Sequence, residues 1–161
     1  MINYANEIVK FNGCPGCAYA NHEFSLPCGM AYENGRVTLT QDWELPIPGF
    51  FIAAPKRCVD KFEDLTYDEK IELFGIVDKT IKILRENNIC DRFNVIFEEK
   101  ENVHFHVWIM PRDKWMLDLF GSPTKNISQI FEYAKNHMRT EENYNEIKKI
   151  TEIVKKGFYK L

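Results

Sequence analysis

Alternation of apolar and polar positions predicts short strands through the first two thirds of the chain. Two of them flank Asn34-Gly35, a dipeptide typical of a two-residue type I′ hairpin turn. A short apolar segment bounded by prolines adds a third strand, and two more follow a long helical segment. The five predicted strands span residues 30–33, 36–41, 50–54, 92–97 and 103–110.

Helical periodicity marks three further segments. The first begins at a capping box of Thr66 and Glu69, in which each side chain satisfies a free backbone N–H of the helix start. Its predicted core face consists of Ile71, Phe74, Val77, Ile81 and Leu84. Apolar positions also predict a helix from Ile127 and another after Thr140. This order of elements predicts an α+β fold with an antiparallel five-stranded sheet, one long helix and C-terminal helices.

Size, charge and cysteine content exclude several classes of protein. The 161 residues suffice for one domain with a sizeable core. A net charge of −3 argues against a polybasic nucleic-acid binder. No apolar run approaches the roughly 20 residues that span a bilayer, and residues 1–7 lack the regions of a signal peptide. We therefore expect a cytoplasmic protein with no membrane or nucleic-acid partner, whose five cysteines are thiols, metal ligands or buried groups.

The segment from His104 to Trp108 carries the clearest chemical signal. Alternation along the predicted strand places His104, His106 and Trp108 on one face. Phe105 and Val107 take the other face. Two imidazoles side by side suit a metal ion or an anionic substrate. The alternative is that both are half-exposed strand histidines without a chemical role.

This segment resembles the signature of the histidine triad (HIT) superfamily, His-φ-His-φ-His-φ-φ, in which φ is apolar; here Trp108 replaces the third histidine. Residues 48–57 resemble the family's Pro-Gly-His-φ-φ-φ-x-Pro-Lys segment, and the likeness covers residues 14–112. The resemblance implies a HIT-like fold, with a catalytic domain over residues 1–115 and residues 116–161 as a helical extension of the same domain. It also implies a homodimer that pairs through the long helix and a neighbouring strand.

The same resemblance assigns roles at a nucleotide site. His106, the middle histidine, is implied to attack the α-phosphorus of a nucleotide and form a nucleotidyl–histidine intermediate. Asp42 is implied to accept hydrogen bonds from ribose hydroxyls, although a solvated aspartate at a strand end would look the same in the sequence. The further candidates for nucleotide contacts are Asn102, Trp108 and Arg112.

The loop before the histidine strand departs from the family pattern. Where the family has a Gly-Gln-Ser/Thr stretch, this chain reads Glu98-Glu-Lys-Glu-Asn102. Three glutamates beside a phosphate site are unexpected unless Lys100 or another cation offsets their charge.

Cysteine spacing indicates a metal site. Cys14 and Cys17 are spaced as in zinc knuckles, but one CxxC supplies only half of a tetrahedral site. A redox pair is the alternative, although no thioredoxin-like βαβ context surrounds it. Zinc-containing HIT proteins complete the site with a histidine shortly after the Pro-Lys segment and with the first triad histidine. Here Cys58 replaces the former as a competent ligand, and His104 is the latter. The resemblance therefore implies a closed Cys₃His site for structural zinc. Two residues could replace a misassigned ligand: His22 and Cys28.

Trp108 leaves three functions open. Its indole N–H can donate a hydrogen bond, but it cannot relay a proton as a third histidine does. The favoured expectation is a nucleotide hydrolase acting on the α-phosphate of diadenosine polyphosphates, nucleoside phosphoramidates or related conjugates. The alternatives are a nucleotidyltransferase or phosphorylase of the galactose-1-phosphate uridylyltransferase type, and a zinc-stabilised nucleotide-binding module with little turnover.

Overall fold

A five-stranded antiparallel sheet forms the centre of the computed structural model, which describes residues 1–99 and 104–159. The strands are β1 (Met30–Glu33), β2 (Val37–Gln41), β3 (Phe51–Pro55), β4 (Phe93–Glu98) and β5 (His106–Pro111). Their order across the sheet is β1-β2-β3-β5-β4, with β1 and β4 at the edges. The helices are α1 (Pro15–Ala20), α2 (Tyr67–Glu86), α3 (Lys114–Phe120), α4 (Ile127–His137) and α5 (Glu141–Tyr159). The predicted α+β class and antiparallel five-stranded sheet are confirmed.

Alternation along the two central strands separates the main core from a second face of the sheet. The buried residues of β3 and β5 that pack with α2 and α5 are Phe51, Ala53, Val107 and Ile109. The residues between them are half-buried and face a pocket on the opposite side of the sheet. The predicted assignment of His106 and Trp108 to one face of their strand is therefore confirmed.

Helix α2 begins as predicted but buries only part of the predicted face: Val77 and Leu84 are buried, and Ile81 packs against the main core. Thr66 Oγ1 accepts a hydrogen bond from the Glu69 N–H at 3.2 Å, and the Glu69 carboxylate accepts one from the Thr66 N–H at 2.8 Å. Ile71 and Phe74, predicted in the core, are 54% and 52% exposed. The buried residues are Glu69, Leu73, Ile76, Val77, Thr80, Ile83 and Leu84. Two apolar stripes run along this helix, and periodicity alone does not determine which of them meets the sheet.

Three local predictions differ from the structure. The hairpin turn is not type I′, because neither Asn34 nor Gly35 has a positive φ. Instead, the Asn34 side-chain oxygen accepts hydrogen bonds from the backbone N–H groups of Arg36 and Val37, so that β2 begins at Val37. Neither α1, which begins in the CxxC segment, nor α3 was predicted as a helix.

The C-terminal helices cover both faces of the sheet. Helix α5 contributes Ile150 and Val154 to the main core. Helix α4 contributes Ile130 and Ala134 to a second apolar cluster on the face of β5 that carries Met110. The assignment of residues 116–161 to the same domain stays a prediction. Within the described parts of the chain, no helix combines the length and apolarity that crossing a bilayer requires.

Candidate functional site

Four side chains from three separate segments converge beside the start of β5. The ligand atoms that lie within 4.8 Å of one another belong to Cys14, Cys17, Cys58 and His104. The Sγ atoms of Cys14 and Cys17 each lie 3.6 Å from Nδ1 of His104. Tetrahedral zinc with ordinary bond lengths places a sulfur and a nitrogen ligand about 3.6 Å apart. The spacing of these donors therefore fits a zinc ion.

Different local structures hold these ligands in place. Cys14 immediately precedes α1 and Cys17 lies in its first turn, so the CxxC spacing follows from the helix start. Cys58 lies in the segment after β3. The Phe105 N–H donates to the carbonyl oxygen of Val59 at 2.7 Å. This bond ties the segment that carries Cys58 to the segment that leads from His104 into β5.

The second nitrogen of His104 fixes the ring for ligation. Its Nε2–H donates to the carbonyl oxygen of Pro55 at 2.7 Å, which leaves Nδ1 unprotonated toward the sulfur atoms. Burial lowers the pKa of His104, the Pro55 carbonyl opposes this effect, and the neighbouring His106 adds to it. Gly16 lies against the ring, where a Cβ atom would come within 2.4 Å of the His104 Cγ. His104 is therefore held as a neutral ligand, and its ring packs directly against the backbone of Gly16.

The three thiols form a crowded group. Burial raises the pKa of Cys14, but hydrogen bonds from the Cys17 backbone and other neighbouring groups outweigh it, so the pKa is lowered. Burial and then the neighbouring sulfur atoms of Cys58 and Cys14 raise the pKa of Cys17 to about 12. Thiolates this close together need a cation to balance their charge. This electrostatic need and the Cys₃His donor set both match structural zinc.

The expected structural zinc therefore fits this group, and four protein ligands leave no position for a substrate or a reactive water. The two substitute ligands lie elsewhere. Cys28 is buried in a separate apolar cluster, and His22 lies 3.5 Å from the Glu33 carboxylate. A third cysteine and a histidine beside the CxxC favour a metal site over a redox pair.

His106, the first residue of β5, presents one nitrogen to the pocket. Its Nδ1–H donates to the carbonyl oxygen of His104 at 3.0 Å; a carbonyl oxygen can only accept, so this nitrogen carries the hydrogen. Its Nε2 lies 2.9 Å from Oε2 of Glu98. The backbone of a proposed zinc ligand thus orients the ring of the candidate nucleophile.

Glu98 is a site residue that the sequence analysis did not identify. It is the last residue of β4, and its Cα lies directly opposite that of His106 in the antiparallel pair. Direct cross-strand partners project from the same face of a sheet, so both side chains reach the pocket. In the sequence, Glu98 is only part of an acidic segment that is unexpected beside a phosphate. The pairing register between β4 and β5, which the sequence does not reveal, places Glu98 beside His106.

His106 and Glu98 lie at the edge of a pocket of about 400 Å³, a volume typical of small-molecule sites. Ile52 and Ala54 of β3 line it, together with the segment that follows β2 and part of α4. The aromatic residues that line it are Phe11, Trp43, Trp108 and Phe131. Phe131 belongs to the helix that was predicted from Ile127, and no sequence signal placed it at the site.

Asp42 lies in the pocket wall and is only 6% exposed. Its Oδ1 accepts hydrogen bonds from the backbone N–H groups of Glu44 at 3.0 Å and Leu45 at 2.8 Å. Burial raises the pKa of Asp42 to about 6, although these two N–H groups oppose the shift. The alternative of a solvated aspartate at a strand end is therefore wrong.

The remaining candidate residues are distributed differently. Trp108 lines the pocket, and its ring centroid lies 5.6 Å from that of His106. Arg112 follows the opposite end of β5, six residues from His106, which corresponds to about 20 Å along an extended strand. The structure does not bring Arg112 into the pocket. Asn102 lies outside the described residues.

The sequence has one clear curated relative among those compared. No protein-family profile matches the chain. An uncharacterized HIT-like protein from Methanocaldococcus jannaschii is 28% identical over 105 residues, which cover 62% of this chain and 78% of that protein.

Solved structures resemble the fold over most of its length. A hypothetical histidine triad nucleotide-binding protein from Sulfolobus tokodaii matches with a TM-score of 0.64 and 21% identity, covering 92% of this chain and 99% of that chain. A zinc-bound histidine triad family protein from Mycobacterium smegmatis matches with a TM-score of 0.59 and 14% identity. That match covers 86% of this chain and 93% of the other. At these identities the likeness establishes the fold.

Proposed function

We propose that this chain, which has the fold of the HIT-like superfamily, is a zinc-stabilised nucleotide hydrolase with His106 as its nucleophile. The observation that carries the proposal is the orientation of His106. Its Nδ1–H is bound to the His104 carbonyl, so its Nε2 is the nitrogen directed at the pocket. A neutral imidazole nitrogen in a pocket of this size suits attack on a phosphorus atom.

The reaction proceeds in two displacements. The Nε2 lone pair forms a bond to the α-phosphorus while the bond from phosphorus to the leaving group breaks. Water then forms a new bond to phosphorus while the nitrogen–phosphorus bond breaks, releasing a nucleoside monophosphate. The Nδ1–H···O=C bond to His104 stabilises the positive charge that the imidazole carries in the intermediate.

Nucleoside recognition is assigned to Asp42 and the aromatic residues of the pocket wall. One oxygen of Asp42 is occupied by two backbone N–H groups, and the carboxylate retains capacity to accept from ribose hydroxyls. Trp43, Trp108 and Phe131 offer aromatic surface for a nucleobase. Asn102 stays a candidate donor to the phosphate.

The charge of the pocket bears on the substrate. Among its described lining residues, three are acidic, namely Asp42, Glu44 and Glu98, and the basic one is Lys135. Lys135 is itself paired with Glu44 at 2.8 Å. A long polyphosphate meets more repulsion here than a single phosphate does. We therefore expect nucleoside phosphoramidates to be better substrates than diadenosine polyphosphates.

Zinc has a structural role in this proposal. When bound to Cys14, Cys17, Cys58 and His104, zinc would cross-link three chain segments and would take no part in catalysis. The His104 carbonyl positions the ring of His106, so the proposed zinc site and the proposed nucleophile are linked through His104. A cytoplasmic location and the lack of a nucleic-acid partner stay predictions from the sequence.

A homodimer is supported by an apolar surface beside the edge strand. The exposed apolar residues of α2 and β4 are Tyr67, Ile71, Phe74, Val95 and Phe97. Phe74 and Phe97 lie 5.7 Å apart between ring centroids, which makes the surface continuous across both elements. Strand β4 pairs with β5 on one side only within the described sheet. A second copy, related by a two-fold axis, would continue the sheet and cover this surface.

The test is turnover by the purified protein, followed by mass spectrometry of small products and of the intact chain. Adenosine 5′-phosphoramidate and diadenosine tetraphosphate are the two substrates. We expect AMP from the phosphoramidate at the higher rate, and loss of product in His106→Ala. His137→Ala is the matched control, because His137 is exposed on α4 and does not line the pocket. Tight nucleotide binding without product from the wild type would contradict the hydrolase and favour a binding module.

A further inference from the structure

The candidate nucleophilic nitrogen of His106 has a side-chain partner in the structure. Nε2 lies 2.9 Å from Oε2 of Glu98, and the two side chains are only 15% and 17% exposed. Because Nδ1 already donates to a carbonyl oxygen, a hydrogen bond across the contact between Nε2 and Oε2 uses a further proton, which either group can carry. The Glu98 carboxyl group and Nε2 of His106 are therefore placed to share a proton, at the position where the phosphorus must arrive.

We propose that Glu98 is the general acid and base of this site and does the work for which Trp108 has no suitable group. The inference rests on the proposed function. Trp108 occupies the third position of the signature, and its indole has a donor but no group that releases and recovers a proton. A carboxyl group does both.

The fold holds Glu98 ready for this role. It ends β4 opposite His106, and the ladder between β4 and β5 pairs six residues in unbroken register. No loop rearrangement is needed to bring the carboxyl group to Nε2. A group fixed by a sheet is positioned more accurately than one carried by a loop.

The first displacement begins when the phosphate group enters and separates the pair. The shared proton stays on Glu98, which is then a neutral carboxylic acid, and Nε2 keeps its lone pair. Nε2 forms its bond to phosphorus, the bond to the leaving group breaks, and Glu98 gives its proton to the leaving atom. The products are the nucleotidyl–imidazolium, the Glu98 carboxylate and the protonated leaving group.

The second displacement restores the starting state. The Glu98 carboxylate removes a proton from water, whose oxygen forms a bond to phosphorus. The nitrogen–phosphorus bond breaks, its electron pair returns to Nε2, and the proton on Glu98 is again shared with that nitrogen.

Leaving-group dependence distinguishes this role from a structural one. A phosphoramidate must have its nitrogen protonated to leave, whereas the p-nitrophenyl ester of AMP releases a stable anion. For Glu98→Gln we expect a loss of about 10²–10⁴-fold on adenosine 5′-phosphoramidate. On the nitrophenyl ester, we expect a burst of one nitrophenolate per site and an adenylyl adduct on the protein, because the second step lacks its base. Glu99→Gln is the matched control, since Glu99 is exposed and accepts only from the Phe62 N–H among its described contacts.

A second variant distinguishes loss of the carboxyl group from a defect in folding. Glu98→Ala leaves space beside Nε2, and added formate should restore part of its activity on the phosphoramidate. Equal losses on both substrates, with neither adduct nor formate rescue, would overturn the role of Glu98. Wild-type turnover that Glu98→Gln leaves unchanged would also overturn it while leaving the proposed function intact. Absence of turnover in the wild type, by contrast, would overturn the proposed function itself.

Discussion

Replacement of Gly16 by alanine tests the zinc site by steric contact alone, because it removes no ligand atom. A Cβ atom at this position would lie 2.4 Å from Cγ, 2.5 Å from Cβ and 2.7 Å from Nδ1 of His104. The ring cannot move away without losing the hydrogen bond from its Nε2 to Pro55 and the approach of its Nδ1 to Cys14. The substitution therefore acts on the proposed metal ligand, His104, whose carbonyl also orients the ring of the candidate nucleophile.

The expected magnitude follows from two opposing effects. Overpacking of this kind destabilises a folded protein by about 1–3 kcal/mol, and alanine in place of glycine in a helix returns up to about 1 kcal/mol. We expect a net loss of about 1–2 kcal/mol in the free energy of unfolding, which lowers the unfolding midpoint of a chain of this size by about 2–8 °C. Displacement of Nδ1 should also leave less than one equivalent of zinc on the protein.

The assay combines thermal unfolding, followed by circular dichroism, with zinc content measured by mass spectrometry of the metal. Gly35→Ala is the control, because a Cβ atom there meets nothing within 4 Å and its φ is not positive. We expect that variant to stay within about 0.5 kcal/mol of the wild type. A Gly16→Ala protein with a full equivalent of zinc and the midpoint of the control would refute the packing of Gly16 on His104.

Two further predictions concern the pocket and the exposed apolar surface. Burial raises the pKa of Asp42 to about 6, so the native state loses stability as pH rises from the ordinary carboxyl pKa through that value. Asp42→Asn keeps an oxygen acceptor without the charge. In thermal unfolding, the stability of this variant relative to the wild type should rise by about 1 kcal/mol between pH 5 and pH 7.5. A stability difference that does not change with pH would contradict the burial argument. Phe74→Lys places a charge in the apolar surface of α2 and β4 and should reduce the mass in light scattering from two chains to one. Lys82→Ser on the same helix should keep the mass of the dimer, and an unchanged mass in Phe74→Lys would exclude this surface as the interface.

Local patterns account for most of the fold and for the metal ligands. The alternation that predicts β5 needs only neighbouring residues, as does the capping box of Thr66 and Glu69. The resemblance to the HIT signature led from the sequence to Cys58 and His104, and the structure brings both to the CxxC segment. These features are encoded over short stretches, where side-chain type and spacing are sufficient.

The tertiary structure alone decided which distant residues share the site. Glu98 meets His106 because of the register between β4 and β5, and the segment that joins these strands carries no signal for that register. Arg112 follows His106 closely in the sequence, yet the extended strand carries it away from the pocket. Phe131 reaches the pocket from α4, in the C-terminal part of the chain.

The same limit applies to α2, whose sequence offers two apolar stripes. Periodicity determined that the segment is helical, but packing against the sheet and α5 determined that Ile76 and Ile83 are buried while Ile71 and Phe74 are exposed. The sequence by itself thus determined most of the secondary elements and, through the signature it resembles, the candidate nucleophile and the candidate zinc ligands. The partners of that nucleophile depend on contacts between strands and helices that only the folded chain brings together, because a periodic pattern contains no information about which surfaces will meet.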